Sequence, residues 1–111
     1  MKSFVLCSLV SLSALCLASN LPQKSGQATY EKHCVNCHGK DGAGKTAAAE
    51  RMAIPDLRSS SVVSMSDKQL ADSVGRGVQH KNYPHSFLLN KEISNDELQV
   101  LIGYVRSLQK K

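Results

Sequence analysis

The sequence contains no tryptophan, and its aromatic residues are limited to 2 phenylalanines and 3 tyrosines among 111 residues. Segments rich in leucine and valine provide apolar material for one domain but not for two. No internal repeat occurs, and no segment alternates apolar and polar residues over the length of a strand. These absences argue against a repeat architecture and predict an all-α fold with long loops.

The first 19 residues have the layout of a secretory signal peptide. Lys2 precedes an apolar run over residues 4–17, and small residues follow that run. The run is interrupted by serines and is short for a membrane span, which needs about 20 consecutive apolar residues. We therefore predict a signal peptide over residues 1–19, export to the periplasm, and one domain over residues 20–111. Membrane attachment would require that the signal segment is not cleaved.

Neither basic nor acidic residues are concentrated in one part of this chain. Removal of Lys2 with the signal peptide reduces the 14 lysines and arginines to 13, against 9 aspartates and glutamates. This excess is small and interspersed with acids, so it argues against a nucleic-acid partner. A mildly basic face of this kind can steer docking onto an acidic partner protein.

Capping signals mark two helices. Ser66 and Gln69 have the spacing of a capping box, as do Ser94 and Glu97. The second box directly precedes an apolar stripe at helical spacing, formed by Leu98, Leu101, Ile102, Val105 and Leu108. This last helix is predicted to run to about Gln109.

Earlier in the chain, helical composition over residues 27–33 predicts a first helix after a polar lead-in at residues 23–26. Three glycines within residues 39–44 predict a loop. One or two helical turns are compatible with residues 46–52, and Pro55 is expected to end them.

Cysteine is scarce in the predicted mature chain, because Cys7 and Cys16 lie in the signal peptide. The two that remain, Cys34 and Cys37, could form only a disulfide that closes a very small loop and contributes little stability. The next residue is His38, and the resulting CxxCH spacing is the one that attaches haem covalently.

The spacing has a physical reason. Three positions apart on a helical turn, two sulfurs lie on one side and can reach two vinyl groups of one porphyrin. The adjacent imidazole is then carried to the iron. The motif predicts one covalently bound haem c, with Cys34 and Cys37 as thioether donors and His38 as the proximal iron ligand.

Three other interpretations compete with haem attachment. A thioredoxin-like redox pair would require a βαβ setting that the sequence lacks. A zinc site would need two more ligands, and His33, His80 and His85 do not supply finger spacing. Residues 39–46 match the letters of the phosphate-binding loop GxxxxGK[ST], but that loop must follow a buried strand. A flexible loop with solvated lysines explains the same residues, so no nucleotide is expected.

With this motif, the mature chain resembles the class I cytochrome c family over nearly all of its length. The resemblance rests on the haem motif and its surroundings at residues 30–39, the glycine-rich loop that follows, and residues 54–57, 75–77 and 102–108. It implies a small cytochrome c fold with three main helices and long loops around one haem. In that fold the first and last helices cross closely, which Gly26 or Ala28 beside Tyr104 would allow.

The resemblance also implies a role for Pro55. In the family, a loop proline carbonyl accepts the second ring proton of the proximal histidine. This agrees with the general need of a metal-bound imidazole for a hydrogen bond from its other nitrogen. Pro55 is therefore expected to support His38.

The resemblance weakens on the distal side of the iron. Electron carriers of the family use a methionine from the loop before the last helix, and residues 80–87 contain none. Tyr83 takes its place when the prolines are aligned. His85 would project to the same side of an extended loop and offers an imidazole, which is a good haem-iron ligand. His85 is the predicted distal ligand, with His80, Met52 and an open site as alternatives.

The distal ligand decides between function classes. Histidine on both sides gives a closed, low-spin iron at a lower potential than a histidine/methionine centre. An open sixth position would instead allow the fold to bind a small gas or turn over peroxide. We predict a non-enzymatic electron carrier, or a small haem subunit of a larger redox complex, with redox proteins as partners.

Overall fold

The computed structural model describes residues 21–78 and 85–111. Three longer helices lie in these ranges, namely α1 (Leu21–His33), α5 (Asp67–Arg76) and α6 (Asn95–Leu108). Three short ones lie between them, namely α2 (Val35–His38), α3 (Ala47–Met52) and α4 (Ser60–Val63). The described ranges contain no strand, which confirms the all-α prediction with three main helices. None of the helices in these ranges combines the length and the hydropathy of a membrane span. The predicted signal peptide lies outside the described residues.

The first helix is longer than the sequence pattern predicts. In the described residues it spans Leu21–His33, so residues 23–26 are helical and the prediction of a polar lead-in there is wrong. The helix therefore already includes the four residues before Gln27.

Helices α1 and α6 cross at Gly26. A Cβ atom at this residue would overlap the Val100 carbonyl oxygen and lie 3.0 Å from the Tyr104 Cβ. This close approach confirms the expectation for Gly26, whereas Ala28 is exposed and takes no part in it. The aromatic rings of Tyr30 and Tyr104 also pack together, with centroids 5.4 Å apart.

Both predicted capping boxes are present. The Ser66 hydroxyl accepts a hydrogen bond from the Gln69 amide at 3.1 Å, and the Gln69 side chain accepts one from the Ser66 amide at 2.7 Å. Ser94 and Glu97 make the same reciprocal pair at 3.2 and 2.7 Å. Helix α6 ends at Leu108, next to the predicted end.

The short helix α3 ends by a different mechanism from the one predicted. Its last residue is Met52, and Ala53 takes the left-handed conformation with φ 53°. The amide of Ala53 donates to the Ala49 carbonyl, which closes the helix before Pro55 can affect it. Pro55 is therefore not the residue that ends α3.

The core lies between α1, α5 and α6. The apolar stripe of α6 is buried as predicted, with Leu101 only 1 % exposed. Tyr30 of α1 is equally buried, and Leu70 of α5 completes the cluster. Because so few aromatic side chains are present, this core is built mainly from aliphatic residues of one helix.

Candidate haem-binding site

The CxxCH motif lies at the junction of α1 and α2. Helix α1 ends at His33, and Cys34 precedes the first residue of α2. The amide of His38 donates to the Cys34 carbonyl over 2.8 Å, which closes one helical turn around the motif. Neither Cys34 nor Cys37 forms a disulfide. Both cysteines and His38 line the same cavity, so the structure brings the three predicted residues together.

Thr46 connects the motif to α3. Its hydroxyl donates to the Cys37 carbonyl at 2.7 Å and accepts from the Ala49 amide at 3.0 Å. One side chain thus satisfies a carbonyl at the end of α2 and an amide at the start of α3. This contact fixes the position of the motif relative to the next helix.

The glycine-rich loop is held by hydrogen bonds at both of its ends. The Tyr30 hydroxyl donates to the Gly39 carbonyl over 2.7 Å, and the Gly44 amide donates to the His38 carbonyl over 2.9 Å. Its lysines are exposed, in agreement with solvated side chains, but Gly42 within it is buried. Helix α2, rather than a strand, precedes this loop, so the setting of a phosphate-binding loop does not occur here.

Gly44 also brings Pro55 toward the motif. Its φ is +68°, and a Cβ there would lie 3.3 Å from the Ile54 carbonyl oxygen and 3.4 Å from that of Pro55. The positive φ and the close approach both favour glycine. Pro55 lines the same cavity as His38. Its predicted role as the hydrogen-bond acceptor for His38 stays a prediction.

The cavity beside the motif has a volume of about 380 Å³. This volume falls in the range of about 300–1,000 Å³ that is typical of cofactor and ligand pockets. Aliphatic side chains from three helices form much of its wall. They are Val62 of α4, Leu70 and Val74 of α5, and Leu101, Ile102 and Val105 of α6. Such a wall suits a large apolar ring system.

Burial changes the acid–base properties of the groups on this wall. It raises the pKa of the Cys34 thiol to about 12, and the neighbouring Cys37 adds to the shift. Burial also raises the pKa of the Tyr30 hydroxyl, with a smaller contribution from Cys34. Both groups are therefore neutral at physiological pH, which keeps this part of the wall uncharged.

His85 lies on the wall of the same cavity as His38. The centroids of the two imidazole rings are 5.9 Å apart, and the ring planes differ by 34°. Of the alternatives, Met52 also lines the cavity, whereas His80 and Tyr83 lie outside the described residues. The structure thus places the predicted distal histidine within reach of the predicted proximal one.

This set of groups fits a covalently bound haem. Two thiols three residues apart, an adjacent imidazole and a second imidazole all face one cavity with an aliphatic wall. A family model for cytochrome c matches residues 23–109. The chain belongs to the cytochrome c family. Membership implies covalently bound haem c, a role in electron transfer and redox proteins as partners. A search of curated proteins finds no match to this cytochrome.

Sequence reasoning did not identify two residues that shape the site of this cytochrome. Phe87 lines the cavity and packs against the ring of His85. Thr46 was assigned only to a helical segment, although its hydroxyl bridges Cys37 and Ala49. The signal for Thr46 was present, since Thr before Ala-Ala-Ala-Glu is an N-cap pattern. No local pattern indicates the partner of Phe87, because that contact depends on how the loop folds.

Proposed function

We propose that this chain is an exported, single-haem c-type cytochrome that transfers one electron at a time between redox proteins. Family membership supports electron transfer by haem. The layout of residues 1–19 supports export to the periplasm. When bound, haem supplies an iron that cycles between the ferric and ferrous states.

The distance between the two imidazoles carries the proposal. An imidazole nitrogen lies about 2.0–2.1 Å from a first-row metal such as zinc, and roughly 1 Å from its own ring centroid, so two rings on opposite sides of one metal have centroids roughly 6 Å apart. The centroids of His38 and His85 are 5.9 Å apart in this structure. This agreement supports His85 as the distal ligand and favours a closed iron centre suited to electron transfer.

The other residues have supporting roles in this proposal. Cys34 and Cys37 would hold the macrocycle at the junction of α1 and α2, so that it could not dissociate during turnover. Pro55 accepts the second ring proton of His38 and fixes its orientation. The aliphatic wall excludes water from the metal, and this exclusion tunes its redox potential.

Docking of the partner would use the basic surface next to the motif. The segments that follow His38 carry exposed Lys40, Lys45 and Arg51 together with exposed Asp41 and Glu50, which leaves a small excess of basic groups. Cationic groups near the site raise the encounter rate with an acidic partner face, and the effect decreases with salt. This surface is the mildly basic face that we assign to partner binding.

The ferric absorption spectrum of the holoprotein tests the distal ligand. The protein should be produced in an exporting host that matures c-type haem. We expect a low-spin spectrum for the wild type and a high-spin, water-bound spectrum for His85→Ala. His80→Ala is the matched control, since it removes a histidine of the same predicted loop, and it should keep the low-spin spectrum.

Two results would contradict this part of the proposal. A low-spin spectrum that survives His85→Ala but disappears in His80→Ala would assign the distal position to His80. A wild type that is already high-spin would favour an open site and gas or peroxide chemistry over electron carriage.

A further inference from the structure

Phe87 packs against two imidazoles, those of His85 and His33. Its ring stacks on that of His85 with centroids 5.7 Å apart and planes 27° apart. The rings of Phe87 and His33 also make an edge contact, with centroids 5.2 Å apart and planes 64° apart. Both distances fall in the range of about 4.5–7 Å in which aromatic rings attract each other. The orientation of His85 is thus coupled to a ring that a second residue braces.

His33 is itself held at the protein surface. The His33 side chain is only 14 % exposed, and its Nδ1 lies 3.8 Å from a carboxylate oxygen of Glu92. Glu92 also holds Phe87 directly, because its amide donates to the Phe87 carbonyl over 2.9 Å. His33, Phe87 and Glu92 therefore form a closed set of contacts between the end of α1 and the turn before α6.

The main chain of Phe87 is held from the opposite direction as well. The amide of the next residue, Leu88, donates to the Gly75 carbonyl in α5 over 3.1 Å. The Leu88 side chain packs so closely on Gly75 that a Cβ atom there would lie 2.7 Å from Leu88 Cδ1. The turn that presents Phe87 is thus attached to both α1 and α5.

We propose that Phe87 is the positioning residue for His85 and sets the rotation of its imidazole plane. The inference rests on the proposed function, in which His85 is the distal ligand. With Phe87 in place, the planes of His38 and His85 differ by 34°, which is nearer to parallel than to perpendicular. Without the Phe87 ring, His85 loses the surface that holds this angle and dissociates more readily from the metal.

Electron paramagnetic resonance of the ferric holoprotein measures this angle. Low-spin haem with nearly parallel imidazole planes gives a rhombic spectrum, whereas nearly perpendicular planes give one signal with a large maximal g value. We expect a rhombic spectrum for the wild type. Phe87→Leu, which keeps an apolar side chain but removes the ring, should broaden it or shift it toward the large-g type.

The rate of cyanide binding to the ferric protein provides a second measurement, because cyanide must displace the distal ligand. Loss of one aromatic pair predicts roughly 2- to 10-fold faster binding in Phe87→Leu. Phe87→Tyr keeps the ring and should restore both the rhombic spectrum and the slow rate. Leu89→Ala is the matched control, since it shortens an exposed side chain of the same turn, and it should keep the wild-type spectrum.

Each other outcome has a defined meaning. A low-spin wild type whose spectrum and cyanide rate are unchanged in Phe87→Leu overturns the role of Phe87 and leaves His85 as the ligand. Equal changes in Leu89→Ala and Phe87→Leu overturn it too, since they show a general effect of the turn. A wild type that is high-spin, or one that stays low-spin in His85→Ala, overturns the assignment of His85 and the positioning role together.

Discussion

The segment that carries His38 and the segment that carries His85 present their imidazoles in different ways. His38 belongs to a helical turn whose neighbours are fixed by hydrogen bonds from Thr46 and Gly44. His85 lies on the wall of the same cavity, and the packing of its ring on Phe87 holds it there. The proximal side therefore depends on several directional bonds, and the distal side depends on one line of packed rings.

This difference has a consequence for function. A ligand whose main chain accepts several hydrogen bonds tolerates the loss of any one of them. A ligand positioned through Phe87 responds to small changes in a surface turn. We expect variation in the distal segment to tune the spectrum and the potential, and loss of the Cys34 and Cys37 thiols to decide whether the holoprotein forms at all.

The largest expected effect is on haem attachment. Replacing both Cys34 and Cys37 with alanine should abolish covalent haem, because no thiol remains to add to a vinyl group. Mass spectrometry after denaturation measures this directly. Cys7→Ala with Cys16→Ala removes the same number of cysteines from the predicted signal peptide and should leave the haem attached.

Comparison with His85→Ala sharpens the contrast between the two sides. That variant should keep its covalent haem and lose only the low-spin spectrum. If the double variant of Cys34 and Cys37 still carried covalent haem, the assignment of the motif would be wrong. If His85→Ala lost covalent haem completely, the distal side would have the same structural importance as the proximal one.

The second prediction concerns the stability of the proximal side. Gly44→Ala forces a left-handed residue to carry a Cβ and crowds the Pro55 carbonyl, so it should destabilise the holoprotein by about 1–3 kcal/mol. Gly103→Ala is the matched control, because a Cβ at Gly103 would meet nothing within 4 Å. In the middle of α6 it should stabilise by about 0.5–1 kcal/mol. Guanidinium unfolding of the ferric proteins measures both changes.

The sign of that difference is the informative result. Two substitutions of the same type should act in opposite directions, since only Gly44 has a positive φ and a close backbone neighbour. If both variants were equally stable, the geometry around Gly44 would not hold Pro55 against the motif, and the claim of a tightly determined proximal side would fail.

The smallest effect is expected at the end of the distal segment, where Glu97 caps α6. The hydrogen bond from the Ser94 amide holds the pKa of the Glu97 carboxyl below its usual range, and Lys32 and His33 contribute less. A carboxyl whose pKa is lowered by folding stabilises the protein above its unfolded-state pKa. This stabilisation is lost as the pH falls through the folded-state value.

Glu97→Gln separates the charge from the hydrogen bond. Glutamine can cap in the same way, as Gln69 does in α5, so only the electrostatic part should disappear. We expect the variant to be slightly less stable than the wild type at pH 7 and equal to it in strong acid. A stability difference that stays constant from pH 7 to pH 3 would show that the charge has no such role.

Local sequence patterns predicted much of this molecule correctly. Both capping boxes and the apolar stripe of α6 were read from spacing alone, because capping and burial depend on residues within one helix. The prediction that placed the start of α1 after residue 26 was wrong, since the polar composition of residues 23–26 does not exclude a helix. The close packing of Gly26 was expected from the family resemblance, and the structure identified Gly26 rather than Ala28 as its residue.

The sequence by itself predicts the attachment chemistry of the proximal side. Cys34, Cys37 and His38 lie within one helical turn, so their spacing fixes their relative positions before any tertiary contact forms. Only the tertiary structure decided what faces them. His85 is 47 residues beyond His38 in the sequence, and it reaches the cavity through the packing of Phe87 on His33 and of Leu88 on Gly75. Those contacts join parts of the chain that are distant in sequence, and their energies depend on the whole fold.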